Sequence, residues 1–252
     1  MGRLDGKVAL VTGAGRVPGR ALAAQLVRDG AALILVDHDD DAPSGAVDLI
    51  STRAVVQALG GRVVVHDVDV VDKPLLTAAV STSVRRFGGL DAVVVGPVVT
   101  APCSVEATTD EAWCDALDRV LTGAWNVCRA TLPHLVDGGS LTVVGTAAGL
   151  RGYAHLAHQA AAEHGVVGLV RSLAHELAPR SIRVNTVHPV ADAGATPAGG
   201  LVGNLVFDPE AKVPPRFAEA GDVSETVAYL ASDDARLLTG LTVPVTAGLV
   251  PR

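Results

Sequence analysis

Aromatic side chains are scarce, with two Trp, two Tyr and three Phe in 252 residues. Hydrophobic residues still make up 49%, so Val, Leu and Ala must build the core, as buried parallel strands and their covering helices require. Cysteine is sparse too. Cys103, Cys114 and Cys128 fit no zinc or disulfide framework and read as core thiols in a reducing compartment. No Lys/Arg block relieves a net charge of −7, which excludes the electrostatic footprint of a nucleic-acid binder. No segment nears the ~20 apolar residues that span a bilayer. Arg3, Asp5 and Lys7 flank a first apolar run too short for a signal peptide. A soluble, cytoplasmic protein with no nucleic-acid or membrane partner is expected, and one α/β domain over 1–252 accounts for the length.

What is present alternates. Short apolar runs at 7–13, 32–37, 62–68, 92–95, 140–145, 182–187 and 242–245 read as strands. Helical patterns lie between them at 20–29, 47–59, 75–87, 111–135, 155–177 and 225–232. Strands separated by helices imply parallel crossovers and a doubly wound parallel sheet. Asp39–Ser44 reads as an acidic surface loop and Ala191–Gly203 as a flexible one.

Between the first strand and first helix lies TGAGRVPG, Thr12 to Gly19. A glycine-rich turn there can seat a dinucleotide pyrophosphate on free N–H groups at the helix start. Gly13, Gly15, Arg16, Val17, Pro18 and Gly19 are therefore candidate cofactor-binding residues, although the spacing is not G-x-G-x-x-G. Val17 brings a branched side chain where backbone should approach a phosphate. Pro18 removes an N–H, yet proline also suits the first turn of a helix. Asp37 ends the second strand, where an acid accepts ribose hydroxyls and repels a 2′-phosphate, favouring NAD over NADP. A loop or capping acid is the other reading, beside His38-Asp39-Asp40-Asp41.

From KVALVTG (Lys7–Gly13) to Thr239-Gly240, and above all in HGVVGLVRSLAHELAPRSIRVNTVHP (His164–Pro189), the chain resembles the short-chain dehydrogenase/reductase (SDR) family. The acidic loop after the second strand and AAGLRGYAHLAH resemble its actinobacterial subgroup linked to mycofactocin and carveol-type alcohols. The glycine turn is similar to the family's T-G-x-x-x-G-x-G, with Val17 at the middle glycine. Asp69-Val70 resembles the family's adenine-contacting pair. The fourth-strand ending, DAVVVGPVV, lacks the family's Asn-Asn-Ala-Gly and leaves Gly96 on the expected cofactor floor.

The family's chemistry rests on a Ser, a Tyr, a Lys one helical turn beyond the Tyr, and an Asn on the preceding long helix. The resemblance sets these roles on Thr146, Gln159, Glu163 and Val120. Thr146 keeps a hydroxyl. Gln159 cannot exchange a proton in the accessible pH range, and Glu163 reverses the charge of the Lys. Tyr153, His155 and His158 lie nearby but read as packing or rim residues. His134, His164, His175 and His188 have no metal spacing and read as structural, so no metal is expected.

These substitutions imply a degenerate, non-catalytic member of the family, a pseudoenzyme serving as partner or structural subunit. It would assemble with itself or with an active paralogue through Glu111–Leu135 and Tyr153–Leu177, with NAD binding weak or lost. Two alternatives stand beside it. One is an NAD(H)-dependent oxidoreductase of a secondary alcohol or ketone with an atypical proton donor. The other is a small-ligand binding protein using the same cleft.

Overall fold

Seven short runs of apolar, mostly β-branched residues form the middle layer of the structure. They are β1 (Val8–Thr12), β2 (Ala32–Asp37), β3 (Val63–Asp67), β4 (Leu90–Val95), β5 (Leu135–Val144), β6 (Arg183–Pro189) and β7 (Thr242–Val245). The computed structural model describes residues 2–38, 49–98, 100–190 and 218–246. All neighbouring strands pair in parallel, in the order β3-β2-β1-β4-β5-β6-β7. The central strands are buried on both faces, whereas β3 and β7 at the edges are half-buried. Pro244 is tolerated because, among the described residues, β7 is an edge strand with no outer partner for an N–H.

Successive strand residues face opposite sides, so each central strand feeds two cores. Leu10, Ile34, Val93, Leu141 and Val184 pack beneath α3 (Lys73–Phe87), α5 (Gly123–Thr131) and α6 (Ala157–Glu176). Val11, Leu35, Val94 and Val187 pack on the other side against α1 (Val17–Arg28) and α7 (Ala220–Ala231). Each buried Val or Leu contributes about 1.5–3 kcal/mol relative to exposure. The expected α/β, doubly wound parallel sheet is present.

Boundaries differ where local chemistry overrides periodicity. The 111–135 region is not one helix: α4 (Asp110–Ala116) passes through a π-helical turn, Leu117–Thr122, into α5, which ends at Thr131. Leu135 already belongs to β5, and Arg180 holds this early start by donating to the carbonyls of Leu132 and Leu135. The first helix starts at Val17 because Pro18 fits a first turn. The last starts at Ala220 because Glu219 and Asp222 form a reciprocal capping box. The second helix, α2, runs Leu49–Ala58; its expected first residues and both expected loops, Asp39–Ser44 and Ala191–Gly203, lie outside the described residues. Only Cys128 is a core thiol, its pKa pushed up to about 12 by burial, while Cys103 is half-buried and Cys114 exposed. Among the described residues, no helix is long and apolar enough to cross a membrane.

Candidate active site

Strand order reverses between β1 and β4, the crevice in which doubly wound sheets take their ligands. The two strand ends meet closely. The Gly96 N–H donates to Thr12 Oγ1 at 3.1 Å, and a Cβ on Gly96 would lie 2.2 Å from the Thr12 carbonyl oxygen. Gly13 adopts φ 62°, a left-handed conformation that glycine enters without strain. Beyond it, a Cβ on Gly19 would lie 2.0 Å from the Gly13 carbonyl oxygen, so the helix presses directly on the turn. Asp37 closes this end of the crevice, accepting from the Gly15 N–H at 2.8 Å and the His38 N–H at 2.9 Å.

Val17 is the first residue of α1 and is 60% exposed. Arg16, the residue capping α1, makes no side-chain cap bond, which leaves the helix-start N–H groups to another acceptor. Asp69 and Val70 follow β3. Asp69 accepts from the Val71 N–H at 2.9 Å, and the Val70 carbonyl accepts from Asn126 at 3.1 Å. Val70 also packs on Gly123, where a Cβ would come within 2.8 Å of its Cγ2.

The second group of expected residues comes together at the other end of the crevice. Glu163 and Gln159 lie one turn apart on α6 and are each 2% exposed. Glu163 accepts from the Thr146 N–H (2.7 Å), the Thr146 hydroxyl (2.7 Å) and Gln159 Nε2 (2.5 Å). Gln159 Nε2 also donates to the Val98 carbonyl at 2.9 Å. Its Oε1 accepts from the Thr100 N–H at 3.0 Å and hydroxyl at 2.8 Å. Thr146, Gln159 and Glu163 are thus one connected network. Val120 sits in the π-helical turn and lines the same small cavity as Glu163.

One member was missed in the sequence. His188, read there as a structural histidine, is 1% exposed, and its Nδ1 donates to the Thr146 carbonyl oxygen at 2.8 Å. The same nitrogen is 3.6 Å from Glu163 Oε2. The pairing of Val144 with Val187 carries the end of β6 alongside Gly145 and Thr146. A polar residue at the carboxyl end of a buried strand was the signal available, and it carried no spacing motif. Thr100 was missed for the same reason.

Burial pushes the Glu163 carboxyl up, but the His188, Thr146 and Gln159 hydrogen bonds outweigh it and hold the group below its ordinary range. The site therefore contains an ionised carboxylate beside an imidazole, together with a hydroxyl. Tyr153, His155 and His158 share no hydrogen bond with it. The Tyr153 ring lies under the Arg151 guanidinium at 4.8 Å, His155 is exposed, and His158 Nε2 donates to the Ala101 carbonyl at 3.2 Å. Among the described residues, no cluster of three or more His, Cys, Asp or Glu could hold a metal ion.

Residues 13–250 match the family model described as enoyl-(acyl carrier protein) reductase. Over 275 aligned residues the chain is 38% identical to (-)-trans-carveol dehydrogenase of Rhodococcus erythropolis, covering 98% of this chain and 99% of that protein. The chain belongs to the short-chain dehydrogenase/reductase family. Two solved SDR structures extend the likeness. Carveol dehydrogenase from Mycobacterium avium, in complex with NAD, has TM-score 0.89 at 32% identity and covers 100% of both chains. A short chain dehydrogenase from Mycobacterium paratuberculosis, bound to NAD, has TM-score 0.89 at 34% identity and covers 98% of this chain and 99% of that one.

These relatives correct the expectation of a non-catalytic SDR subunit. They are named dehydrogenases, alike over essentially the full chain, and two were solved with NAD. The physical reason is visible in the network. The sequence argument weighed only the residues at the family's spacing, whereas β6 brings an imidazole to the same carboxylate.

Proposed function

We propose that this SDR is an NAD(H)-dependent oxidoreductase interconverting a small secondary alcohol, of the carveol kind, with its ketone. The observation that carries this reading is the contact between Glu163 and His188, 3.6 Å apart, beside the carboxyl ends of β4, β5 and β6. The pair supplies proton-exchanging chemistry where Gln159 cannot.

The residues fit a dinucleotide. Gly13, Gly19 and Gly96 keep side chains out of the β1–β4 crevice, and the start of α1 has N–H groups free of side-chain caps. Asp37, at the carboxyl end of β2, favours NAD over NADP because its charge repels a 2′-phosphate. A bound NAD supplies the acceptor for a hydride, and the chain's own residues handle orientation and the proton. The Thr146 hydroxyl is fixed by Glu163 and by the Ala148 N–H that donates to it at 3.1 Å, so it presents one orientation. Self-association through the 110–131 helical region and α6 belongs to the same proposal; Trp113 and Trp125 on the former are each 40% exposed.

NADH titration followed by nicotinamide fluorescence, and then NAD⁺ with a panel of cyclic secondary alcohols including carveol, tests the reading. Saturable binding and alcohol-dependent NADH formation are expected. Binding without turnover of any alcohol, or no binding at all, overturns it. Sedimentation velocity tests the assembly, and a protein that stays monomeric at micromolar concentration removes that part.

A further inference from the structure

His188 is a buried titratable group with one ring nitrogen bonded and the other not. A carbonyl oxygen can only accept, so the Nδ1 contact with Thr146 fixes the neutral ring as the Nδ1–H tautomer and leaves Nε2 as a bare acceptor. That Nε2 is buried and has no hydrogen-bond partner among the described residues. Buried polar atoms without partners are rare, and a bound water is a common remedy.

His188 lines a cavity of about 20 Å³ together with Glu163, Thr186, Gly96 and Gly145, and valines, Val120 among them, make up the rest of its wall. One water needs roughly 10–15 Å³ measured this way, so the space suits a single molecule. The surrounding backbone is built around the pair. A Cβ on Gly149 would stand 2.2 Å from His188 Cε1, and one on Gly145 would stand 2.8 Å from Glu163 Oε2. The charged group facing His188 is Glu163 of α6. Its other neighbours, Gly145, Thr146 and Gly149 before α6 and Pro244 on β7, are uncharged.

We propose that His188 accepts the alcohol's proton through one water held in this cavity, and that Glu163 stabilises the imidazolium that results. The proposal rests on the oxidoreductase reading. During alcohol oxidation the hydroxyl proton passes to the water as the water's own proton passes to Nε2. The carbon–oxygen double bond forms, and the electron pair of the carbinol C–H leaves as hydride to the bound dinucleotide. The imidazolium then returns its proton to solvent through the same water, and ketone reduction runs the path backwards. Because His188 reaches substrate only through the water, it is a proton-holding residue rather than a substrate contact.

Two measurements on the unaltered protein come first. Nitrogen NMR of labelled histidine should show His188 as the Nδ1–H tautomer. A high-resolution crystal structure should show a water within hydrogen-bond distance of Nε2. An Nε2–H tautomer or a dry cavity overturns the proposal. His188→Gln should then lower kcat for alcohol oxidation about 10²-fold, the low end for loss of an acid/base group. It should also abolish the solvent deuterium effect on kcat, with KM and NADH affinity changed less than about twofold. A purely structural role would move affinity and thermal stability together instead. Unchanged kcat in His188→Gln overturns the relay alone, whereas a wild-type protein that turns over no alcohol overturns the oxidoreductase reading and the relay with it.

Discussion

The two ends of the β1–β4 crevice are built in different ways. At the dinucleotide end, the turn from Thr12 to Gly19 and the neighbouring strand ends carry the contacts, and the closest approaches are backbone against backbone, as between Gly19 and Gly13 or Gly96 and Thr12. At the Glu163 end, Thr100, Thr146, His188 and the α6 pair Gln159 and Glu163 come from four separate parts of the chain, and the decisive contacts are side chain to side chain or to backbone. A backbone obstruction has nowhere to move, so the first end is rigid by sterics. The second is held by hydrogen bonds around a buried carboxylate and is therefore sensitive to protonation.

The largest effect is expected at the rigid end. Gly96→Ala sets a Cβ 2.2 Å from the Thr12 carbonyl oxygen, and separating β1 from β4 should cost about 3 kcal/mol, measurable by urea denaturation. A loss below about 1 kcal/mol would show that the strand ends yield, and would erase the contrast. Gly149→Ala meets side-chain atoms instead, His188 Cε1 at 2.2 Å, so a smaller loss of about 2 kcal/mol is expected in the same assay.

Glu163→Gln sharpens the comparison through pH. The folded carboxyl lies below its ordinary value of 4.5, so its stabilising contribution is complete above that value. The contribution is lost as pH falls from there through the folded pKa. Wild type should therefore exceed Glu163→Gln in stability at pH 7, by about 1–2 kcal/mol, and the gap should close on acidification below about 4.5. A gap that stays constant with pH would mean the network does not depend on the ionised form. The smallest effect is expected for Asp37→Asn, which should shift the NADH-to-NADPH affinity ratio roughly tenfold toward NADPH, about 1.4 kcal/mol. Fluorescence titration with both nucleotides checks it.

Much of this was legible in the residues. Val8–Thr12, Ala32–Asp37 and Leu90–Val95 are apolar apart from Thr12, Asp37 and Asp91 because both faces are buried, and that pattern reads as parallel sheet without any structure. The glycine turn and Asp37 were legible because their partners lie next to them in the strand order. The π-helical turn at Val120 was not, because its residues are ordinary helix formers and only packing selects the wider turn.

By itself, then, the sequence determined the alternating strands and helices, the parallel sheet, the family and the location of the dinucleotide turn. The strands, helices and turn follow from periodicity and from backbone chemistry within a few residues, and the family from its resemblance at Lys7–Gly13 and His164–Pro189. Tertiary structure alone decided that His188 would meet Glu163 and Thr146. That encounter needs the β5–β6 register, with Val144 beside Val187, and the packing of α6 over both strands. Strand register and helix placement are set by the whole core, so the Glu163–His188 pair emerges only when the core is assembled.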